Sequence, residues 1–130
     1  TGGDLKLTAL PRVVDNDGKD IRRFSGPLAI LTDRGSASCS DIFAGGMKAL
    51  GRARIFGDTS AGMALPSASI PLPSGDHLLY PTADFVDPNG RRIEGSGVIP
   101  DTPSPPTARA LRDGRDPALE AALAWIGTST

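Results

Sequence analysis

Seven consecutive residues, Gly35-Ser36-Ala37-Ser38-Cys39-Ser40-Asp41, hold the densest chemistry in the chain. They follow a continuous apolar run, Pro27-Leu28-Ala29-Ile30-Leu31-Thr32, and precede a stretch in which Phe43, Met47 and Leu50 recur at helical spacing. A serine at such a helix start has its hydroxyl near backbone N–H groups that lack an intrahelical acceptor, at the positive end of the dipole. Those groups can hold an oxyanion, and small neighbours let a carbonyl approach. Strand-to-helix turns of this kind present nucleophiles elsewhere. The same pattern also has an ordinary reading. Ser38-x-x-Asp41 is a capping-box-like spacing, and a serine before a helix commonly does no more than cap it. Ser36 and Ser40 compete with Ser38 for either role.

The elements that must position these residues follow from periodicity and turn chemistry. Residues 27–32, bounded by Gly26 and Asp33, read as a buried strand of a sheet covered on both faces. A helix is predicted over 39–50, with its apolar face at Phe43, Met47 and Leu50 and its stop at Gly51. A second strand at 53–56 completes a right-handed βαβ unit. Upstream, residues 5–14 show no clear period, and Asp15-Asn16-Asp17-Gly18 is a turn or hairpin tip. Residues 68–72 and 77–80 flank Ser74-Gly75 as a hairpin. Residues 85–86 and 91–94 flank Asp87-Pro88-Asn89-Gly90 as a second one. The Pro-, Ser- and Thr-rich stretch 102–107 reads as a linker or an extended surface strap. A last helix starts at the Asp116 cap and Pro117. Its apolar face is Leu119, Ala122, Leu123 and Ile126, with Trp125 beside it, and Gly127 ends it.

Composition removes several classes of function. With 15 acidic and 14 basic residues the formal charge is -1, and the cations are scattered, so no nucleic-acid footprint exists. The longest apolar run, 28–31, is far too short to span a bilayer. One cysteine, Cys39, excludes an internal disulfide and fits either a reducing compartment or an extracytoplasmic protein that needs no staple. One Cys and one His cannot close a zinc site, and no metal or cofactor is expected. The 16 Gly and 12 Pro imply short elements and many turns.

From residue 26 to residue 101 the chain resembles the tail-specific, or carboxyl-terminal processing, serine protease family. The family has a strand, a short polar turn, then Gly-Ser-Ala-Ser-Ala-Ser-Glu-Ile and a helix. Here that is Gly35-Ser36-Ala37-Ser38-Cys39-Ser40-Asp41-Ile42. Leu50-Gly51-Arg52-Ala53 through Gly57, Leu72-Pro73-Ser74-Gly75 and Asp87-Pro88-Asn89-Gly90-Arg91 follow in family order. So do Ile93-Glu94-Gly95, Gly97-Val98-Ile99-Pro100-Asp101 and the final Asp116-Pro117-Ala118-Leu119-Glu120. The resemblance covers roughly three quarters of the chain, and the ordered set is far more specific than any one member.

The resemblance implies an α/β fold, a crotonase/ClpP-like core of ββα units. Residues 1–130 would be one domain, the C-terminal portion of a larger protease catalytic domain. It implies a serine-type peptidase with Ser38 as nucleophile. The oxyanion would be held by the N–H of Cys39 and of Gly2 or Gly3, since Thr1-Gly2-Gly3 looks like the tail of the family's glycine-pair motif. The alternative for Gly2-Gly3 is a plain flexible start.

The chain departs from the family at one place that matters. Many members use a serine–lysine dyad, and the loop that carries the lysine is here Gly57-Asp58-Thr59-Ser60-Ala61-Gly62-Met63, with Met63 in the lysine's position. A thioether cannot take the serine's proton. The loop is closer to the branch resembling the tricorn core protease, which uses a histidine base supported by a serine and a glutamate. Glu94 corresponds to that glutamate; its ordinary alternative is a solvated hairpin residue. The base is then expected from outside this chain, because His77 lies in a hairpin arm where a surface role is expected. A phosphate-loop reading of Gly57 to Gly62 fails, because no Lys-Ser/Thr pair follows Gly62.

The substrate implied is a peptide or protein C-terminus. The other partners expected are the remainder of the catalytic domain or a second copy, with no nucleic acid and no membrane-spanning segment. The expected location is extracytoplasmic in a bacterium (periplasm, cell envelope or secreted), with the cytoplasm as the alternative. Two rival functions stand beside the protease: an inactive binder of retinoid-like lipophiles in the same fold family, and a structural fragment that assembles with a partner chain.

Overall fold

The computed structural model describes residues 4–6, as backbone, and 13–129. The strands are β1 (Asp4–Lys6), β2 (Ala29–Thr32), β3 (Arg54–Gly57), β4 (Ser67–Pro71), β5 (His77–Pro81), β6 (Asp84–Val86) and β7 (Thr102–Pro103). The helices are α1 (Cys39–Ala49), α2 (Ala108–Arg112) and α3 (Pro117–Thr128).

The apolar run at 27–32 becomes β2, and α1 carries the chain back so that β3 pairs with β2 in parallel, Ala29 opposite Arg54 and Thr32 opposite Gly57. This is the expected strand–helix–strand unit, displaced by a residue or two at its ends. β7 adds to the other side of β3, also in parallel, with Phe56 opposite Thr102. Thr102 and Pro103, expected in a linker or an extended surface strap, are therefore extended and paired as a sheet strand. Antiparallel β4 and β5 form the first predicted hairpin, with Ile70 opposite Leu78. The second appears as a Val86–Arg92 bridge closed by Asp87, whose N–H donates to the Arg91 carbonyl at 2.8 Å. β6, however, pairs in parallel with β1, a long-range partner that no local pattern indicates. The turn at 15–18 is present, with Val14 bridged to Asp20. α2 was not anticipated; Thr107 caps it by accepting from Ala110 N–H at 3.1 Å.

The core is built from small and branched side chains: Ala44, Ile55, Ala64, Ile93 and Val98 cluster together, with Ile30 and Ile42 packed against them. Ile55 and Phe56 are fully buried, each contributing about 1.5–3 kcal/mol by removing apolar surface from water. The structure corrects four expectations. α1 does not bury Phe43, Met47 and Leu50; Phe43 is 56% exposed, while Asp41, Ala44, Gly45 and Gly46 are buried. The reason is close approach: a Cβ on Gly45 would sit 3.0 Å from the Ile93 side chain and 3.3 Å from that of Val98. Only the smallest residues fit that face. α3 likewise seats on the sheet through Ala118 and Ala122, with Trp125 against Phe56 at 5.7 Å between ring centroids, leaving Leu119 and Leu123 exposed. It also runs through Gly127 to Thr128. Finally, β2 is not covered on both faces. Leu31 is 41% exposed, and among the described residues β2 is the edge of its three-stranded sheet.

Candidate active site

The carboxyl ends of β2 and β3 lie side by side and launch the two loops that build the site. Thr32 C=O accepts from Asp58 N–H at 2.9 Å, and Thr32 Oγ1 donates to Asp58 C=O at 2.8 Å. Gly57 makes this approach feasible: at φ 114° it has no Cβ where one would lie 2.1 Å from the Thr32 carbonyl oxygen. Parallel α/β sheets place their sites at this end of the strands.

From β2 the chain makes a tight turn at 33–36. Asp33 and Ser36 close it together: Ser36 Oγ donates to Asp33 Oδ1 at 3.1 Å and accepts from Asp33 N–H at 3.0 Å. The Ser36 hydroxyl is thus committed to the turn. Ser38 comes next, in a strained backbone conformation. Its φ of 58° and ψ of -120° lie outside the regions open to L-residues, and it is the one non-glycine residue with positive φ among those described. Its N–H donates to Met63 C=O at 2.9 Å, and its C=O accepts from Ile42 N–H at 3.1 Å, opening α1. Its side chain makes no capping hydrogen bond and is exposed. The capping reading of Ser38 is therefore corrected: at this backbone conformation its hydroxyl accepts from none of the helix amides it would cap. Cys39 is the first residue of α1, a position whose N–H has no intrahelical acceptor; its thiol is free and exposed. Ser40 lies exposed in the first turn of the helix.

The second loop, residues 58–64, is held by two carboxylates. Asp41, 0% exposed, accepts from Ser60 Oγ at 2.5 Å and from Gly62 and Met63 N–H at 3.0 Å each. Glu94, half-buried, accepts from Ala64 N–H at 2.5 Å through Oε2. Glu94 is thus not a solvated hairpin residue; it reaches Ser38 only through the loop. Ala61 N–H donates to Ser36 C=O at 2.9 Å, binding the two loops edge to edge. Met63 occupies the expected place beside Ser38, 66% exposed, with its backbone bonded on both sides. At the outer rim Arg34 pairs with Asp58 at 2.9 Å; that hydrogen bond, with one from Thr59 N–H, holds the Asp58 carboxyl below the usual carboxylate range.

The remaining predicted residues fall elsewhere. His77 stands in β5, exposed, its Nδ1 3.2 Å from Ser69 Oγ across the hairpin. Gly2 and Gly3 lie outside the described residues. Among the described residues no hydrogen bond joins the Ser38 hydroxyl to a histidine or lysine; Lys48 is engaged with Asp101 at 2.8 Å and Ile99 C=O at 2.6 Å. Asp41 as the buried anchor of the second loop was missed. Its spacing from Ser38 signalled a capping partner, and nothing local distinguishes that from a side chain turned into the protein.

Residues 8–104 match peptidase family S41, and the chain belongs to that family. It is 31% identical over 96 residues to the carboxy-terminal processing protease CtpB of Bacillus subtilis (strain 168), covering 68% of this chain and 20% of that protein. To the chloroplastic carboxyl-terminal-processing peptidase 2 of Arabidopsis thaliana it is 34% identical over 93 residues, covering 72% and 18%. The tricorn protease crystal structure superposes on 92% of this chain and 13% of its own length, at a TM-score of 0.71 and 25% identity. The photosystem II D1 C-terminal processing protease superposes on 59% and 20%, at 0.54 and 34% identity. The mixed α/β fold is the one these proteases share. The chain spans about a fifth of the length of the curated relatives it matches. Among the described residues no helix is long and apolar enough to cross a membrane.

Proposed function

We propose that this chain carries the nucleophile of a serine peptidase that processes peptide or protein C-termini by acyl transfer to Ser38 Oγ. The observation that supports this most directly is the conformation of Ser38. A non-glycine residue at φ 58°, ψ -120° costs of order 1–3 kcal/mol, and such strain concentrates where function demands it. A helix cap needs no such strain; a nucleophile that must stand clear of its own backbone does.

In this reading Ser38 Oγ attacks the scissile carbonyl and passes its proton to a base outside these 130 residues. The developing oxyanion is held by the Cys39 N–H and by that of Gly2 or Gly3. Collapse expels the amine, which takes the proton from the base; water then attacks the acyl-enzyme by the same route. Met63 in the lysine's position favours the histidine-using branch, with Glu94 steadying the loop behind the nucleophile. A bacterial, extracytoplasmic setting and assembly with the rest of a catalytic domain complete the proposal. The lipophile-binding alternative gains no support from relatives named as proteases and peptidases.

Fluorophosphonate labelling of the full-length protein followed by peptide mapping tests this. The label is expected on Ser38 and lost in Ser38→Ala, while Ser36→Ala and Ser40→Ala retain it. Labelling that survives Ser38→Ala would sink the assignment.

A further inference from the structure

We infer that Asp41 is a positioning residue for the nucleophile, holding Ser38 in its strained conformation through the backbone of Met63; this rests on the reading of Ser38 just given. In a capping box the residue three positions after the cap folds back onto the cap's own N–H. Here that N–H is taken by Met63 C=O at 2.9 Å, and the carboxylate that should have taken it accepts Met63 N–H instead, at 3.0 Å. One residue of the second loop is therefore gripped at both ends, by Asp41 at its N–H and by Ser38 at its C=O.

Three further bonds brace that grip. Asp41 Oδ1 accepts from Gly62 N–H at 3.0 Å and from Ser60 Oγ at 2.5 Å, and Ser60 Oγ in turn accepts from Val98 N–H at 2.7 Å. Three donors converge on one carboxylate that is 0% exposed. Only an acceptor-only group answers all three; an amide would turn its own N–H₂ toward a donor. A strained φ persists only where the surroundings over-determine it, and this network supplies the surrounding. Without it the Met63 carbonyl drifts, and Ser38 relaxes toward an ordinary cap with its hydroxyl on the helix amides.

The test uses the full-length protein with Asp41→Asn, which keeps shape and removes one acceptor, and Ser60→Ala, which removes one leg only. Arg52→Ala, which removes the hydrogen bonds to Phe24 and Gly26 C=O at the end of β2 and β3 opposite the site, serves as the control for lost stability. At a temperature where all are folded, Asp41→Asn is expected to slow fluorophosphonate labelling of Ser38 by about 10²-fold, the scale of an ångström's misplacement. With a peptide substrate the loss falls in kcat and leaves KM nearly unchanged, because Asp41 touches no substrate. Ser60→Ala shows a smaller loss of the same kind, and decides the matter if Asp41→Asn does not fold. Labelling of Ser38 at the wild-type rate in the variants overturns the role of Asp41 and leaves the nucleophile standing. So does an equal slowing in Arg52→Ala, which makes the effect one of stability alone. Wild-type protein that takes no label at Ser38 overturns the reading of Ser38 and this inference with it.

Discussion

At the scale of single residues, strain and hydrogen bonding separate three serines that the sequence leaves equivalent. Ser36 is spent in the turn with Asp33, Ser40 sits on the helix, and Ser38 alone is held at positive φ. That strain has a measurable size. Glycine adopts φ 58°, ψ -120° without a Cβ penalty, whereas alanine keeps it. Ser38→Gly is expected to be more stable to urea than Ser38→Ala by about 1 kcal/mol or more, despite glycine's greater unfolded-state entropy. Equal midpoints for the two would mean that Ser38 carries no backbone strain.

At the scale of elements, the site depends on α1, β3 and β7 keeping their mutual placement, and Asp101 is the joint. Its Oδ1 pairs with Lys48 of α1 at 2.8 Å, while its Oδ2 accepts from Ile55 N–H of β3 at 2.8 Å. Partial burial pushes the Asp101 carboxyl up, but the hydrogen bonds from Lys48 and Ile55 outweigh it, and the net displacement is downward. A carboxyl lowered in the folded state adds stability above its unfolded value of about 3.9 and loses it as pH falls through the folded value. Asp101→Asn is therefore expected to cost about 1 kcal/mol at pH 7, since one hydrogen bond changes partner and the ion pair is half-solvated. The gap to wild type should close below about pH 4. Urea titrations of both proteins across pH 3–7 check it; a gap that stays constant with pH would remove the carboxylate's charge from the account.

At the scale of the whole molecule, the chain presents the proposed nucleophile and its scaffold, and no hydrogen bond joins the Ser38 hydroxyl to a histidine or lysine among the described residues. The proposed base lies outside the 130 residues, and a neutral hydroxyl without one is a poor nucleophile. The peptidase activity of this chain alone is expected to fall at least about 10³-fold below that of the full-length protein. His77→Ala should change neither, since His77 is tied to Ser69 on a separate hairpin. Equal activity in the two lengths, abolished by His77→Ala, would make His77 the base.

Read as a string, the chain determined its local elements: the apolar run of β2, the stop of α1 at Gly51, the β4–β5 hairpin around Gly75, and the Asp116 cap of α3, which accepts from Ala118 and Leu119 N–H at 3.0 and 3.1 Å. These rest on contacts between near neighbours, where residue type decides. The ordered motifs from Gly35 to Asp101 also pointed to the family. Tertiary structure alone decided which faces are buried, because the fit of α1 against Ile93 and Val98 turns on a missing Cβ at Gly45 and not on hydrophobicity. It alone paired β1 with β6 and made Thr102 and Pro103 a strand. It alone turned Asp41 from a capping partner into the anchor of a loop, since an acceptor three residues from a serine can satisfy its own helix or a distant loop. Which donors it meets depends on Ser60, Gly62 and Met63, brought there by the parallel pairing of β2 and β3.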